Sequence, residues 1–152
     1  GWEMEVLYGA NSAKPALEAS PVSAQRTTLE EGLARADFVC LSVPLNAETH
    51  HMMNASRLAM MKSSSVLVNV ARGPVVDEAA LVTALRERVI AAAGLDVFER
   101  EPHLAAGLRE LPNVVLLPHL GSATVEDRVW VVAQATESVV AVLRGGVPAN
   151  LV

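Results

Sequence analysis

Apolar and polar positions follow one another in blocks along this chain, and three apolar runs each stop abruptly at a polar or charged residue. They lead into Asn69-Val70-Ala71-Arg72-Gly73, into Leu95-Asp96-Val97-Phe98-Glu99-Arg100-Glu101-Pro102 and into Leu117-Pro118-His119-Leu120-Gly121. Short continuous apolar runs are the pattern of strands buried in a parallel sheet. The pattern predicts strands at 5–8, briefly at 21–23, at 37–43, 65–70, 90–97 and 114–117. Helices are predicted between them from their start and stop signals. Thr28 caps 29–36, with Glu30 and Glu31 in the first turn where the helix dipole favours them. Asn54 caps 55–61, and Asp77 caps 78–87. Ser122 or Thr124 starts a long helix over 125–143 that Gly145, Gly146 and Pro148 stop. Strands alternating with helices define an α/β doubly wound parallel sheet.

In such a sheet ligands bind in the crevice outside the carboxyl ends of the strands. An arginine, a carboxylate and a histidine, each just past a strand, are therefore expected to converge on one site. Together they can hold a small anion and move a proton onto it.

Composition narrows the picture. At 152 residues, 51% of them hydrophobic, the chain can bury a core of its own. A net charge of −5, with no run of Lys or Arg, argues against nucleic acid as a partner. No apolar stretch reaches the roughly 20 residues of a membrane span. The single cysteine, Cys40, lies in an apolar run, so a buried thiol in a reducing cytoplasm is expected. The chain opens at Gly1-Trp2-Glu3-Met4 without an initiator methionine, so a missing targeting segment says little. Its nine glycines are scattered, and no Gly-x-Gly-x-x-Gly turn follows the first strand. A dinucleotide-binding fold without that strand, turn and helix has a gap in the middle of its sheet. The chain is therefore read as an N-terminally truncated piece of a longer protein.

Three ordered motifs resemble one family. The segment 69–78, Asn-Val-Ala-Arg-Gly-Pro-Val-Val-Asp-Glu, is similar to a signature of the D-isomer-specific 2-hydroxyacid dehydrogenases. So are 93–102, Ala-Gly-Leu-Asp-Val-Phe-Glu-Arg-Glu-Pro, and 117–124, Leu-Pro-His-Leu-Gly-Ser-Ala-Thr. The resemblance runs from Val6 to Val152 and is most like the glyoxylate/hydroxypyruvate reductases. It implies that 1–152 is a partial NAD(P)-binding domain of Rossmann type, lacking the first strand, the glycine-rich turn and the first helix, with the substrate domain absent. It implies an oxidoreductase moving hydride between NAD(P)H and a small 2-oxo acid, homodimeric as the full-length protein and inactive as this piece.

The resemblance also assigns roles. Arg72 grips the substrate carboxylate and polarises its carbonyl, as a planar guanidinium fork suits; a surface arginine in a salt bridge is the competing reading. His119 is the general acid, since an imidazole titrates near working pH. Glu101 bonds the other ring nitrogen and holds the ring in place. Asp96 partners the nicotinamide carboxamide, with a capping role as its alternative. Pro44, Ala71 and Gly121 belong to the cofactor site, with Asn46 and Thr49 near the adenosine. Glu99 is expected to be solvated. His50, His51 and His103 lack metal-ligand spacing, the first two being expected on different helix faces, and Met52, Met53, Met60 and Met61 are expected in the core.

Two places depart from the family pattern. After the first strand comes Gly9-Ala10-Asn11-Ser12-Ala13-Lys14, where NAD-specific domains carry an acid for the ribose hydroxyls. Asn11, Ser12 and Lys14 in its place imply NADP as the preferred cofactor, with NAD possible. Arg88 stands where relatives carry a glycine ending a helix, a position that favours positive φ. The stretch 102–112 is also slightly short. Two competing readings are a catalytically silent dinucleotide-sensing scaffold of corepressor type and a formate or phosphite enzyme. Glu101, where formate enzymes carry Gln, counts against a formate enzyme.

Overall fold

A computed structural model describes residues 3–151; Gly1, Trp2 and Val152, the last residue of the resemblance, lie outside the described residues. The chain divides into two compact units, the first ending at Pro118 and the second opening at His119.

The first unit holds two parallel sheets. In the smaller, β1 (Leu7–Tyr8) pairs with β2 (Gln25–Arg26), and α1 (Pro15–Glu18) lies between them in sequence. The strand expected at 21–23 is thus displaced. Pro21 and Val22 form a turn, Ser23 has φ 50°, and proline has no N–H for a ladder. Pairing starts at Gln25, whose N–H donates to the Val6 carbonyl at 2.8 Å.

The larger sheet has the order β3 (Phe38–Leu41), β4 (Val66–Asn69), β5 (Ala92–Leu95), β6 (Val114–Leu116), all parallel. Its helices are α2 (Leu29–Arg35), α3 (Ala55–Leu58) and α4 (Glu78–Arg86). The caps are those the sequence predicts. Thr28 and Glu31 form a reciprocal capping box, Asn54 accepts the Arg57 N–H, and Asp77 accepts the Ala80 N–H. Register puts Val39, Leu67, Ala93 and Val114 in one row, with Leu41, Asn69, Leu95 and Leu116 in the next row of the same face. That face packs with Leu33, Leu58, Leu81 and Leu85 into the core. Burying one such leucine stabilises by about 1.5–3 kcal/mol.

The other face of the sheet is more open. Phe38 is 68% and Val115 62% exposed, and Cys40 is exposed rather than buried. β3 is hydrogen-bonded only to β4 among the described strands, and Phe38 and Cys40 share its open face, which an apolar run alone does not reveal. Met53 and Met61 are in the core as expected, but Met60 is 44% exposed, because α3 is a single turn and cannot turn every methionine inward.

α4 ends in a Schellman motif: the Val89 N–H donates to Ala84 O at 2.8 Å and the Arg88 N–H to Leu85 O at 3.4 Å. Arg88 accordingly has φ 58°, the left-handed conformation that suits glycine. Relieving it with Arg88→Gly should stabilise the protein by about 1 kcal/mol, or roughly 2–4 °C in Tm. Calorimetry of the two proteins checks this, and an unchanged or lower Tm would contradict it.

The second unit is built on α5 (Val125–Leu143), with Thr124 accepting the Asp127 N–H as its N-cap. Its end repeats the Schellman pattern at Gly145, φ 76°, as the glycine pair predicts. Among the described residues no helix is long and apolar enough to cross a membrane.

Candidate active site

Three strand ends of the first unit build the site. At the end of β4 the buried Asn69, 1% exposed, folds the chain back on itself. Its Oδ1 accepts the Ala71 N–H at 3.0 Å and its Nδ2 donates to Arg72 O at 3.1 Å. The Arg72 backbone is thus held from inside the protein while its side chain is exposed, with Nη1 donating to Ala71 O at 2.7 Å. Gly73 follows and starts a single 3₁₀ turn, Gly73–Val75. A Cβ built on Gly73 would overlap the Phe98 carbonyl and the Glu99 amide nitrogen, so only glycine lets the two loops meet.

Arg72 borders a cleft of about 490 Å³ that Pro44, Leu45, Val70 and Ala71 also line. The cleft lies where β3 and β4 end, as the rule for open sheets requires. Behind Pro44, the Thr49 hydroxyl donates to Pro44 O at 2.6 Å and accepts the Asn46 N–H at 2.9 Å. Thr49 and Asn46 therefore hold the lining residue Pro44 and do not line the cleft themselves.

At the end of β5, Asp96 is 8% exposed and its N–H donates to Asn69 O at 3.1 Å, tying the β4 and β5 ends together. Glu101 follows in an exposed loop, where its Oε1 accepts the Phe98 N–H at 3.0 Å. Since Phe98 packs on Gly73, the loops carrying Arg72 and Glu101 are in contact. His119 and Gly121 open the second unit; His119 is exposed, with φ 56°.

Two residues here differ from the sequence expectation. Glu99 is not solvated: its Oε1 lies 2.9 Å from His51 Nε2, its Oε2 accepts the Glu78 N–H at 3.3 Å, and the pair is about two-thirds buried or more. His51 is not on a helix but in a turn with φ 49°, its ring stacked on His50 at 4.1 Å instead of on an opposite face. Sequence pattern also gives no sign of Glu78, which is 3% exposed, with Oε1 accepting the Glu99 N–H at 2.6 Å and Oε2 the Ala105 N–H at 3.2 Å. Burial pushes its carboxyl above the ordinary range, the two amides pull it back, and the nearby Glu99 and Glu101 charges push it up again. An acid at the first helical position is usually a solvated dipole partner, so nothing local marks this one as buried.

Around β1, Lys14 Nζ donates to Ser12 Oγ at 3.3 Å. Arg26, which falls outside the strand expected at 21–23, donates through Nη2 to Ala10 O at 3.0 Å and Asn11 O at 3.1 Å. Two cations therefore bond within the turn where the cofactor's ribose is expected. Among the described residues no group of three or more His, Cys, Asp or Glu is placed to hold a metal.

A parallel sheet flanked by helices, with a cleft just past the carboxyl ends of adjacent strands, is the frame of a dinucleotide-binding domain. The family described as "D-isomer specific 2-hydroxyacid dehydrogenase, NAD binding domain" matches residues 1–121, and the chain belongs to that family. It is 48% identical to glyoxylate/hydroxypyruvate reductase B of Escherichia fergusonii, covering all of this chain and 47% of that protein. It is also 48% identical to the glyoxylate reductase of Thermococcus onnurineus, of which it covers 45%. Among solved structures, an NADPH-dependent glyoxylate/hydroxypyruvate reductase from Sinorhizobium meliloti in complex with NADP and malonate superposes with a TM-score of 0.84 at 36% identity. That match covers 91% of this chain and 42% of the other. The chain spans about half the length of the curated relatives it matches.

Proposed function

We propose that the whole protein to which this chain belongs reduces small 2-oxo acids with NAD(P)H, glyoxylate and hydroxypyruvate being the first substrates to test. The observation that carries this reading is Arg72, held by Asn69 and Gly73 at the rim of a cleft beyond β3 and β4. The relatives named glyoxylate/hydroxypyruvate reductase point the same way.

A bound dihydronicotinamide supplies the hydride that reaches the substrate's 2-carbon. The protein's part is binding, orientation and proton delivery. Arg72 pairs with the substrate carboxylate and stabilises the negative charge that develops on the carbonyl oxygen. By family resemblance, His119 is assigned the proton for that oxygen, which leaves a neutral hydroxyl on the 2-carbon, and Glu101 is assigned the orienting of the imidazole. Asp96, buried at the end of β5, fits the carboxamide. Pro44 and Ala71 fit the dinucleotide as walls of the cleft, and Gly121 has the same assignment in the second unit. Turnover of glyoxylate or hydroxypyruvate by the whole protein, followed through reduced-nicotinamide absorbance, tests the reading. Tight cofactor binding with no turnover on a 2-oxo-acid panel would replace it with a dinucleotide sensor.

We further infer a preference for NADP(H). The Gly9–Lys14 turn after β1 holds no carboxylate, the Glu18 carboxylate further on accepts the Tyr8 hydroxyl, and Lys14 and Arg26 both hydrogen-bond within the Ala10–Ser12 turn. Cations suit the 2′-phosphate that distinguishes NADP, and an acid would repel it. NADPH should therefore have the higher kcat/KM. The Lys14→Ala, Arg26→Ala double variant should lose about tenfold or more with NADPH, the size of one charged hydrogen bond, and little with NADH. A wild-type preference for NADH would overturn this. The reading also includes a homodimer, for which family resemblance is the support, and a cytoplasmic location, which the exposed free thiol of Cys40 fits.

A further inference from the structure

We propose that Glu78 is a positioning residue for the reaction, clamping the loop that carries Glu101 at both ends and holding it against the Arg72 turn. The inference rests on the functional reading above for what the loop does, and on the hydrogen bonds alone for how it is held.

Glu99 and Ala105 bracket Glu101 in sequence, and one buried carboxylate accepts the backbone N–H of each. The clamp is reciprocal, because the Glu99 carboxylate accepts the N–H of Glu78 itself and also bonds His51. Inside the bracket the His103 N–H donates to Arg100 O at 2.8 Å, and Phe98, just before the bracket, donates its N–H to Glu101 Oε1. The near end of the same loop packs on Gly73, next to Arg72. His51 ties in a third segment, since its own N–H donates to Pro74 O at 2.7 Å. The chain between 98 and 105 has no helix or strand to fix it. Its conformation therefore depends on acceptors supplied from elsewhere, and Glu78, fixed at the start of α4, supplies two. Burial of that carboxylate costs free energy, and the two amides offset it only while the loop stays in this geometry. Its neighbour in sequence acts on the helix instead, where Asp77 bonds the Ala80 N–H as the cap.

The test uses the whole protein and two variants, Glu78→Ala and Glu78→Gln, with hydrogen exchange at the Glu99 and Ala105 amides and steady-state kinetics with glyoxylate and NADPH. Cofactor titration fixes the folded, binding-competent fraction. In Glu78→Ala both amides should exchange at least tenfold faster. kcat per competent site should fall at least tenfold, while cofactor Kd changes less than threefold. Glu78→Gln retains one acceptor oxygen, so one of the two amides should stay protected and kcat should lie between the other two proteins. A general loss of stability lowers the competent fraction without producing that ordered split. If Glu78→Ala does not fold, Glu78→Gln carries both readouts. Unchanged exchange at both amides, or faster exchange with wild-type kcat, overturns the proposal. A wild-type protein that turns over no 2-oxo acid defeats the functional reading instead, and exchange at the two amides still decides whether Glu78 holds the loop.

Discussion

Arg72→Ala should lower kcat/KM for glyoxylate by about 10²–10³-fold, the loss typical when a donor aimed at a developing oxyanion is removed. The size follows from two interactions lost together, pairing with the carboxylate before reaction and stabilising the carbonyl oxygen as it becomes negative. Arg72→Lys keeps the charge but loses the planar fork, so it should recover only part of the activity. Neither change touches the residues that hold the turn, because Asn69 bonds the backbone at 71 and 72 and not the guanidinium. Stability and cofactor Kd should therefore stay near wild type. The kinetic comparison is made on the whole protein, and a loss below threefold in Arg72→Ala would remove Arg72 from the mechanism.

Gly73→Ala should be the most destabilising single change at this site, costing about 3 kcal/mol, at the upper end for overpacking. The new methyl would meet the Phe98 carbonyl and the Glu99 amide nitrogen, which are backbone atoms and cannot swing aside as a flexible side chain would. The reason is space and not dihedral freedom. Either the turn at 73–75 or the loop at 98–105 must move, and each carries or adjoins a residue of the proposed site. A fall in Tm of about 6–12 °C should accompany a loss of activity. Thermal unfolding measures the first and turnover the second; a Tm within about 2 °C of wild type, below the shift expected for 1 kcal/mol, would show that the two loops separate freely.

These two residues differ in how far the sequence foretells them. Arg72 is visible because an apolar run ends at a charge, and strand ends are where open sheets bind ligands. Gly73 is visible as part of a motif, but its reason is not, since the backbone it touches lies 25 residues further along the chain. The caps Thr28, Asn54, Asp77 and Thr124 are legible for the opposite reason: each bonds an N–H three residues away. Arg88 shows both sides. A helix end can be read from its sequence, while the left-handed φ that makes arginine a poor choice there belongs to the folded chain.

By itself the sequence determined what depends on short-range pattern: the alternation of strands and helices, their caps, and the polar residues Arg72, Asp96, Glu101 and His119 just past apolar runs. Tertiary structure alone decided which residues are buried and which loops touch. Cys40 and Phe38 sit in an apolar run yet are exposed, because they point to the face of β3 opposite Val39 and Leu41, which face the core. Glu78 and Glu99 look like surface acids, yet Glu78 is buried and Glu99 partly so, because each finds a backbone donor in a segment more than 20 residues away. Burial of a charge is a property of the partners that surround it, and a local pattern does not contain them.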